Sequence, residues 1–281
     1  MTPYLSELNP QATPYSAPLL ERVYQQNTNT HFSNWLREFL VHSPWQQLDF
    51  ENNSVKSLCL DLADEVYQYN RALNQEPAFH NLSHFTDVCL SMSILLSQRE
   101  QVNQSKATSS AWHLSEQDAW LLLFCAIGHD FGHNGEMNHV PFEIEKKSTE
   151  LIRLFLTRKL GQHDAELMMQ KIEPIVWSTD PKDYPNLYRR IQGAGQYPQK
   201  NDCLAALLVE SDLMGSILPK RGEDLGLRLA KEWSIHSPVA SKNVASSAGR
   251  LQFLKIVHFL SPHSCLVGMD LILADSISQL A

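Results

Sequence analysis

The sequence predicts an all-α protein, and three observations carry the prediction. Apolar residues recur at helical spacing through Ser54–Leu73, where Val55, Leu58, Leu62, Val66 and Tyr69 form one stripe. The run Trp120-Leu121-Leu122-Leu123-Phe124-Cys125-Ala126-Ile127 is apolar on every side, as a helix at the centre of a core must be. No stretch shows the strict alternation of apolar and polar residues that marks a half-buried strand. With 281 residues and 43% hydrophobic content, the chain can bury a large core.

Residues 1–18, which contain Pro and Ser, read as loop, and His31–His42 as an amphipathic helix that precedes Ser54–Leu73. Gln98–Ser110, rich in Gln, Ser and Asn, reads as a connecting loop. Ser115-Glu116-Gln117-Asp118 has the pattern of a capping box, in which a hydroxyl and a carboxylate three residues apart each take the other's backbone N–H, so the central helix starts there. A further helix runs from Phe142 to Leu160. Asp180–Lys200, with three prolines and with Gly193 and Gly195, reads as a long excursion, either a lid or surface disorder. Helices resume at 201–218, with Asn201 as N-cap, and at 223–235, 245–260 and 265–280. Residues 1–60 are expected to form a helical extension packed on a core built from 61–281.

A formal net charge of -8 disfavours duplex nucleic acid as a partner, because a polyanion needs a basic surface. Five cysteines, at 59, 89, 125, 203 and 265, are odd in number and lack short pairwise spacing, which argues against disulfides and against a zinc ribbon. The opening Met1-Thr2-Pro3-Tyr4 lacks basic residues and an apolar h-region, and no stretch reaches the about 18 apolar residues of a membrane span. A soluble, cytoplasmic protein with no membrane partner is the expectation.

Against this background a set of ionisable residues stands out. His80 and His84 are four apart, the spacing that places two side chains on one helix face, and His129 and His133 repeat it. Asp130 follows His129 directly at the end of the apolar run. Buried ionisable groups must be paired, hydrogen-bonded or bound to metal, and an imidazole beside a carboxylate suits zinc, iron or manganese. Asp212 lies in another mostly apolar helix, on the face of Leu204, Leu208 and Val209, where a metal ligand or an ion pair with arginine would account for it.

These residues resemble a known family. Phe79-His80-Asn81-Leu82-Ser83-His84 is similar to the aromatic-His-Asn-x-x-His signature of class I cyclic nucleotide phosphodiesterases, within the HD superfamily of metal-dependent phosphohydrolases. His129-Asp130-Phe131-Gly132-His133-Asn134-Gly135 and the trailing Asn138 resemble the family's His-Asp-x-x-His-x-Gly segment. Ile175-Val176-Trp177-Ser178-Thr179-Asp180 resembles its Thr-Asp motif, and Asp212-Leu213 stands where its last metal aspartate is expected. The resemblance covers roughly residues 75–262, in the family's order. The chain departs from the family in a shorter segment after Asn138 and in Pro181, which stands where Met is usual.

The resemblance implies a compact multi-helix bundle of HD-domain and phosphodiesterase type holding two divalent ions: zinc, iron or manganese in a tighter site made by His84, His129, Asp130 and Asp212, and magnesium or manganese in a second. It implies His80 as the proton donor, His133 as an outer-shell partner, and Asn138, Thr179 and Asp180 as pocket residues. The family's glutamate after the His-Asp motif corresponds to Glu143 or Glu145. Helical phase favours Glu145, which borders the face of Ile144, Ser148, Leu151, Ile152, Phe155 and Leu156, while Glu143 lies opposite. Gln252, ten residues before Pro262, matches the spacing of the family's base-reading glutamine, although Lys255 replaces its clamping phenylalanine. The partner implied is a small nucleotide or phosphodiester. Hydrolysis of a 3',5'-cyclic nucleotide is the leading expectation, with a nucleotidase, an alarmone hydrolase or a non-catalytic nucleotide sensor as alternatives. His139, His258 and His263 are expected to be partly buried hydrogen-bond donors.

Overall fold

Three helices with almost no polar face form the centre of the fold. The computed structural model describes residues 14–27, 31–42, 44–48 and 54–281. Among them the chain is helical, with no strand. The first thirteen residues of the stretch read as loop lie outside the described ones, and α1 (Ala17–Gln25) begins within its last two positions. It is followed by α2 (Phe32–Phe39), α3 (Ser54–Ala72), α4 (Leu82–Leu96), α5 (Arg99–Gln104) and α6 (Glu116–Gly128). The second half comprises α7 (Glu143–Leu160), α8 (Gln162–Trp177), α9 (Tyr184–Gly193), α10 (Lys200–Ile217), α11 (Pro219–Trp233), α12 (Pro238–Val244), α13 (Ser247–Ile256), α14 (Pro262–Val267) and α15 (Met269–Leu280).

Helix α6 begins at the capping box expected for it, with Ser115 and Asp118 satisfying each other's backbone N–H groups. Asn81 caps α4 by accepting the N–H of Ser83 at 2.9 Å and of His84 at 3.3 Å. Helices α4, α6 and α10 pack on one another and on α3 and α8, so their apolar residues meet other helices all round. Phe85, Trp120, Phe124 and Leu207 are fully buried there, and each contributes about 1.5–3 kcal/mol. Leu20, Trp35, Leu36 and Trp45 join the same core, and the boundary expected at residue 60 falls within α3. No helix among the described residues is long and apolar enough to cross a membrane.

The punctuation differs from expectation in several places. The Gln98–Ser110 loop contains α5, whose Val102 is buried. The Pro- and Gly-rich excursion after Asp180 is mostly α9: Pro185 sits in its first turn, where a missing N–H does no harm, and Leu187 and Ile191 anchor it in the core. Its Arg190 pairs with Asp202 of α10 at 2.9 Å. Asn201 is inside α10, whose N-cap is Gln199. Within the 245–260 span only 247–256 is helical, as α13, and α12 forms an additional short helix just before it. The last helix is also broken in two, because Gly268 adopts φ +90°, a conformation open to glycine, and a Cβ there would meet Pro14 at 2.6 Å.

The three histidines left without a role separate. His139 and His258 are exposed, His258 stacking on Tyr188 at 4.3 Å. His263, expected to be a partly buried donor, is instead fully buried with neither ring nitrogen hydrogen-bonded. Burial, with Lys200 and His113 nearby, lowers its pKa to about 3. The unfolded chain would bind a proton near pH 6.5 that the native state refuses, so this group draws stability down as pH falls from about 6.5 toward 3. His263→Leu is expected to reduce the loss of unfolding free energy between pH 8 and pH 5 by about 2 kcal/mol, read from urea midpoints. Parallel acid limbs for the two proteins would refute this.

Candidate metal centre and active site

The first turn of α4 and the last turn of α6 meet at one point, and the metal-type side chains gather there. His84 Nε2 lies 3.2 Å from Asp130 Oδ2 and 3.2 Å from Asp212 Oδ1. His129 Nε2 lies 3.1 Å from Asp130 Oδ2, 3.9 Å from Asp212 Oδ1 and 3.3 Å from His84 Nε2. The ligand atoms of His84, His129 and Asp212 all fall within 4.8 Å of one another, and Asp130 reaches both histidines from the side. All four residues expected in the tighter site are therefore brought together.

The donor set fits a divalent ion. His129 Nδ1 must carry the hydrogen, because it faces the carbonyl of Ala126 at 2.9 Å, and this leaves the Nε2 lone pair turned toward the cluster. Two imidazole nitrogens and two carboxylates, with no lysine or arginine paired to them among the described residues, form a centre suited to a cation. Burial opposes a charge on His84, yet hydrogen bonds that its ring donates to Asp130 and Asp212 raise its pKa to about 10. Burial acts in the same sense on Asp130, but the charge of His129 and His80 and its two histidine hydrogen bonds hold its carboxyl well below the ordinary range.

His80 and His133 do not follow the helical pairing that their spacing suggests. Helix α4 starts at Leu82, after its N-cap Asn81, so His80 precedes the helix, and His133 lies in the loop beyond α6. The turn at Gly132, with φ +80°, swings His133 back over the site. Its ring stacks on that of His80, with centroids 3.6 Å apart and planes at 16°. Nearly parallel rings cannot aim both lone pairs at one ion, so this pair makes a poor second cage. His133 Nδ1 accepts the N–H of Gly135 at 2.9 Å, and burial, then the charge of His80, lowers its pKa to about 3.

The partner of His80 is Glu232 of α11, which the sequence reading missed. Its Oε1 lies 2.5 Å from His80 Nδ1, while its Oε2 accepts the backbone N–H of Phe79 at 2.7 Å and of His80 at 3.0 Å. Burial disfavours its charge, but these donors keep the carboxyl below its usual range. An ionised carboxylate can only accept, so Nδ1 carries a hydrogen and Nε2 is the ring's second site. No short motif marks Glu232, which stands 152 residues from His80 among the polar positions of an amphipathic helix.

Glu145 is buried and Glu143 exposed, as helical phase requires. Asn138 donates to Glu145 Oε2 at 2.9 Å and accepts the N–H of Ile144 at 2.8 Å. Burial raises the Glu145 pKa to about 7, with Asp180 and Asp130 adding to the effect and Asn138 opposing it. Asp180 is buried with both oxygens engaged by backbone, Oδ2 by Phe142 N–H and Oδ1 by Lys182 N–H, each at 2.9 Å. It thereby braces Phe142, whose φ of 62° is strained for a non-glycine residue. Thr179 Oγ1 donates to the carbonyl of Val176 at 2.8 Å. Gln252 is exposed on α13 and is not brought to the cluster by any hydrogen bond or ring contact.

Two comparisons bear on this geometry. Residues 79–194 match the family model of the 3'5'-cyclic nucleotide phosphodiesterases, a span that holds His80, His84, His129, Asp130, His133, Asn138, Glu145, Thr179 and Asp180. The structure of LmjPDEB1 in complex with IBMX is similar with a TM-score of 0.63 at 12% identity, over 99% of this chain and 94% of that one. No curated protein matches the chain. The chain thus resembles the class I cyclic nucleotide phosphodiesterases in motif and in fold.

Proposed function

We propose that the protein hydrolyses a phosphodiester, with a 3',5'-cyclic nucleotide opened to the 5'-monophosphate as the leading substrate. The observation that carries this reading is the adjacency of a four-ligand cluster, His84, His129, Asp130 and Asp212, to a histidine whose far nitrogen is held by a carboxylate. The match of residues 79–194 to the phosphodiesterase family model supports it.

Divalent ions bound here would lower the pKa of a water and neutralise phosphate oxygens near neutral pH. The other steps belong to side chains. The water oxygen bonds to phosphorus as the P–O3' bond breaks, and the departing 3' oxygen needs a proton. His80 supplies it from Nε2, while Glu232 fixes the ring through Nδ1 and faces the charge the ring carries before transfer. His133, stacked beneath, keeps His80 from rotating and offers its own Nε2 as an outer-shell donor. Glu145, oriented by Asn138, accepts a proton from the water in this reading.

The test is metal analysis of the purified protein, followed by turnover of cyclic AMP, cyclic GMP, nucleoside monophosphates, an alarmone and a nitrophenyl phosphodiester with added manganese or magnesium. Hydrolysis of cyclic nucleotides ahead of the monoesters is expected. Nucleotide binding without turnover of any ester would indicate a sensor.

The exposed position of Gln252 favours a second reading, a phosphohydrolase indifferent to the base. If Gln252 does read a base, Gln252→Ala should lower kcat/KM for a cyclic nucleotide by about tenfold and leave the nitrophenyl ester untouched. Equal values for both substrates would place the glutamine outside the substrate's reach.

A further inference from the structure

A polar cluster away from the metal centre ties together three helices, two of which supply the active site. Asp87 of α4 is 5% exposed and receives Arg221 of α11 on Oδ2 and Asn27, just beyond α1, on Oδ1 at 2.9 Å. Asn27 also reaches Thr86 Oγ1 at 3.2 Å. The Arg221 guanidinium lies 5.3 Å above the ring of Tyr24, whose hydroxyl hydrogen-bonds Ser91 of α4 at 2.6 Å, and Glu21 takes the backbone N–H of Lys220 at 2.6 Å. Helix α1 and Asn27 therefore grip both α4 and the start of α11.

Helix α11 meets the chain again at the candidate active site, just before α4. His84 is three residues before Asp87, and His80 and Phe79 precede α4. Glu232, near the other end of α11, holds His80 and Phe79. Helix α11 is thus joined by polar contacts to α4 at Asp87–Arg221 and, through Glu232, to the segment that leads into α4. A rigid helix carries any change of angle at its first turn to its last.

We infer that the Asp87–Arg221 pair, completed by Asn27 and Tyr24, is a positioning clamp that sets the distance between Glu232 and His80, so that the N-terminal segment α1 is part of the machinery aligning the proton donor. The inference rests on the hydrolase reading for its catalytic consequence alone. A role in geometry suits the physics of the pair. Burial raises the Asp87 carboxyl despite Arg221, and a buried ion pair generally adds little to stability while constraining arrangement.

The variants are Asn27→Ala, which removes one tie and leaves the ion pair, and Arg221→Gln, which keeps a donor without the charge. One readout needs no substrate: the downfield Nδ1–H resonance of His80 in histidine-labelled protein, assigned through its loss in His80→Ala. It is expected to move or broaden in both variants while bound metal is unchanged. The second readout is turnover. Displacement of a group by about 1 Å can cost up to 10²-fold, so hydrolysis of a cyclic nucleotide should fall at least about tenfold, and a nitrophenyl diester, which barely needs the proton, should change less than about twofold. A clamp that merely stabilised the fold would lower both substrates together. If Arg221→Gln does not fold, Asn27→Ala alone decides. An unmoved resonance in Asn27→Ala, or equal losses on the two esters, overturns the inference. Absence of phosphodiesterase activity in the unsubstituted protein would instead refute the hydrolase reading and leave the resonance to judge the clamp.

Discussion

Asp130→Ala is expected to strip the protein of bound metal and abolish turnover together. Asp130 Oδ2 lies nearer to the two histidines together than Asp212 Oδ1 does, at 3.2 Å from His84 and 3.1 Å from His129 against 3.2 Å and 3.9 Å. Removing it leaves two imidazoles and Asp212, with half the negative charge of the cluster gone. Partners that only orient ligands are worth about 10–100-fold in metal affinity, so a ligand lost outright should exceed that. The measurement is elemental analysis after dialysis against a weak chelator, with activity assayed on the same sample. Asp130→Asn keeps the shape and tests the charge, and it should behave nearly as badly. Full metal content in Asp130→Ala would show that Asp130 is not a ligand.

The second large effect is that of His80→Ala, which should keep its metal and lose about two to four orders of magnitude in turnover of a cyclic nucleotide. The ion pairs that hold the four candidate ligands together do not include His80, so the substitution leaves the ligand set in place. A nitrophenyl diester, whose leaving group is stable as an anion, should lose far less. Glu232→Gln should follow the same pattern more mildly, because an amide can still accept from Nδ1 but cannot offset the charge of the ring. Equal losses on both esters in His80→Ala would remove the general-acid role.

The candidate ligands of the cluster were legible because each lies in or directly beside an apolar helix, where an ionisable residue is out of place unless something binds it. Glu145 was legible through helical phase, since a period of 3.6 residues decides which of two nearby glutamates turns inward. Helix α9 was hidden by its own prolines and glycines, which favour turns in isolation. Leu187 and Ile191 override them by docking into the core, a long-range gain that local composition does not contain.

Spacing also suggested more than it could deliver. The four-residue interval of His80 and His84, and of His129 and His133, implied two helical pairs, yet each pair spans a helix terminus and only one member of each joins the His84–His129–Asp212 cluster. The stack of His80 on His133 comes instead from the positive φ at Gly132.

By itself the sequence determined the helical class, the central apolar helices and the ionisable residues that interrupt them, because periodicity and the cost of burying charge are local properties of a chain. Which residues complete the site was decided only in three dimensions. Glu232 and Arg221 lie on a single amphipathic helix with no motif, and their partners, His80 and Asp87, are 152 and 134 positions away. A carboxylate on a polar helix face carries no mark of the donor it will meet. The packing of α11 beside α1 and the start of α4 supplies that meeting, and the hydrogen-bond geometry that results exists nowhere in the chain before it folds.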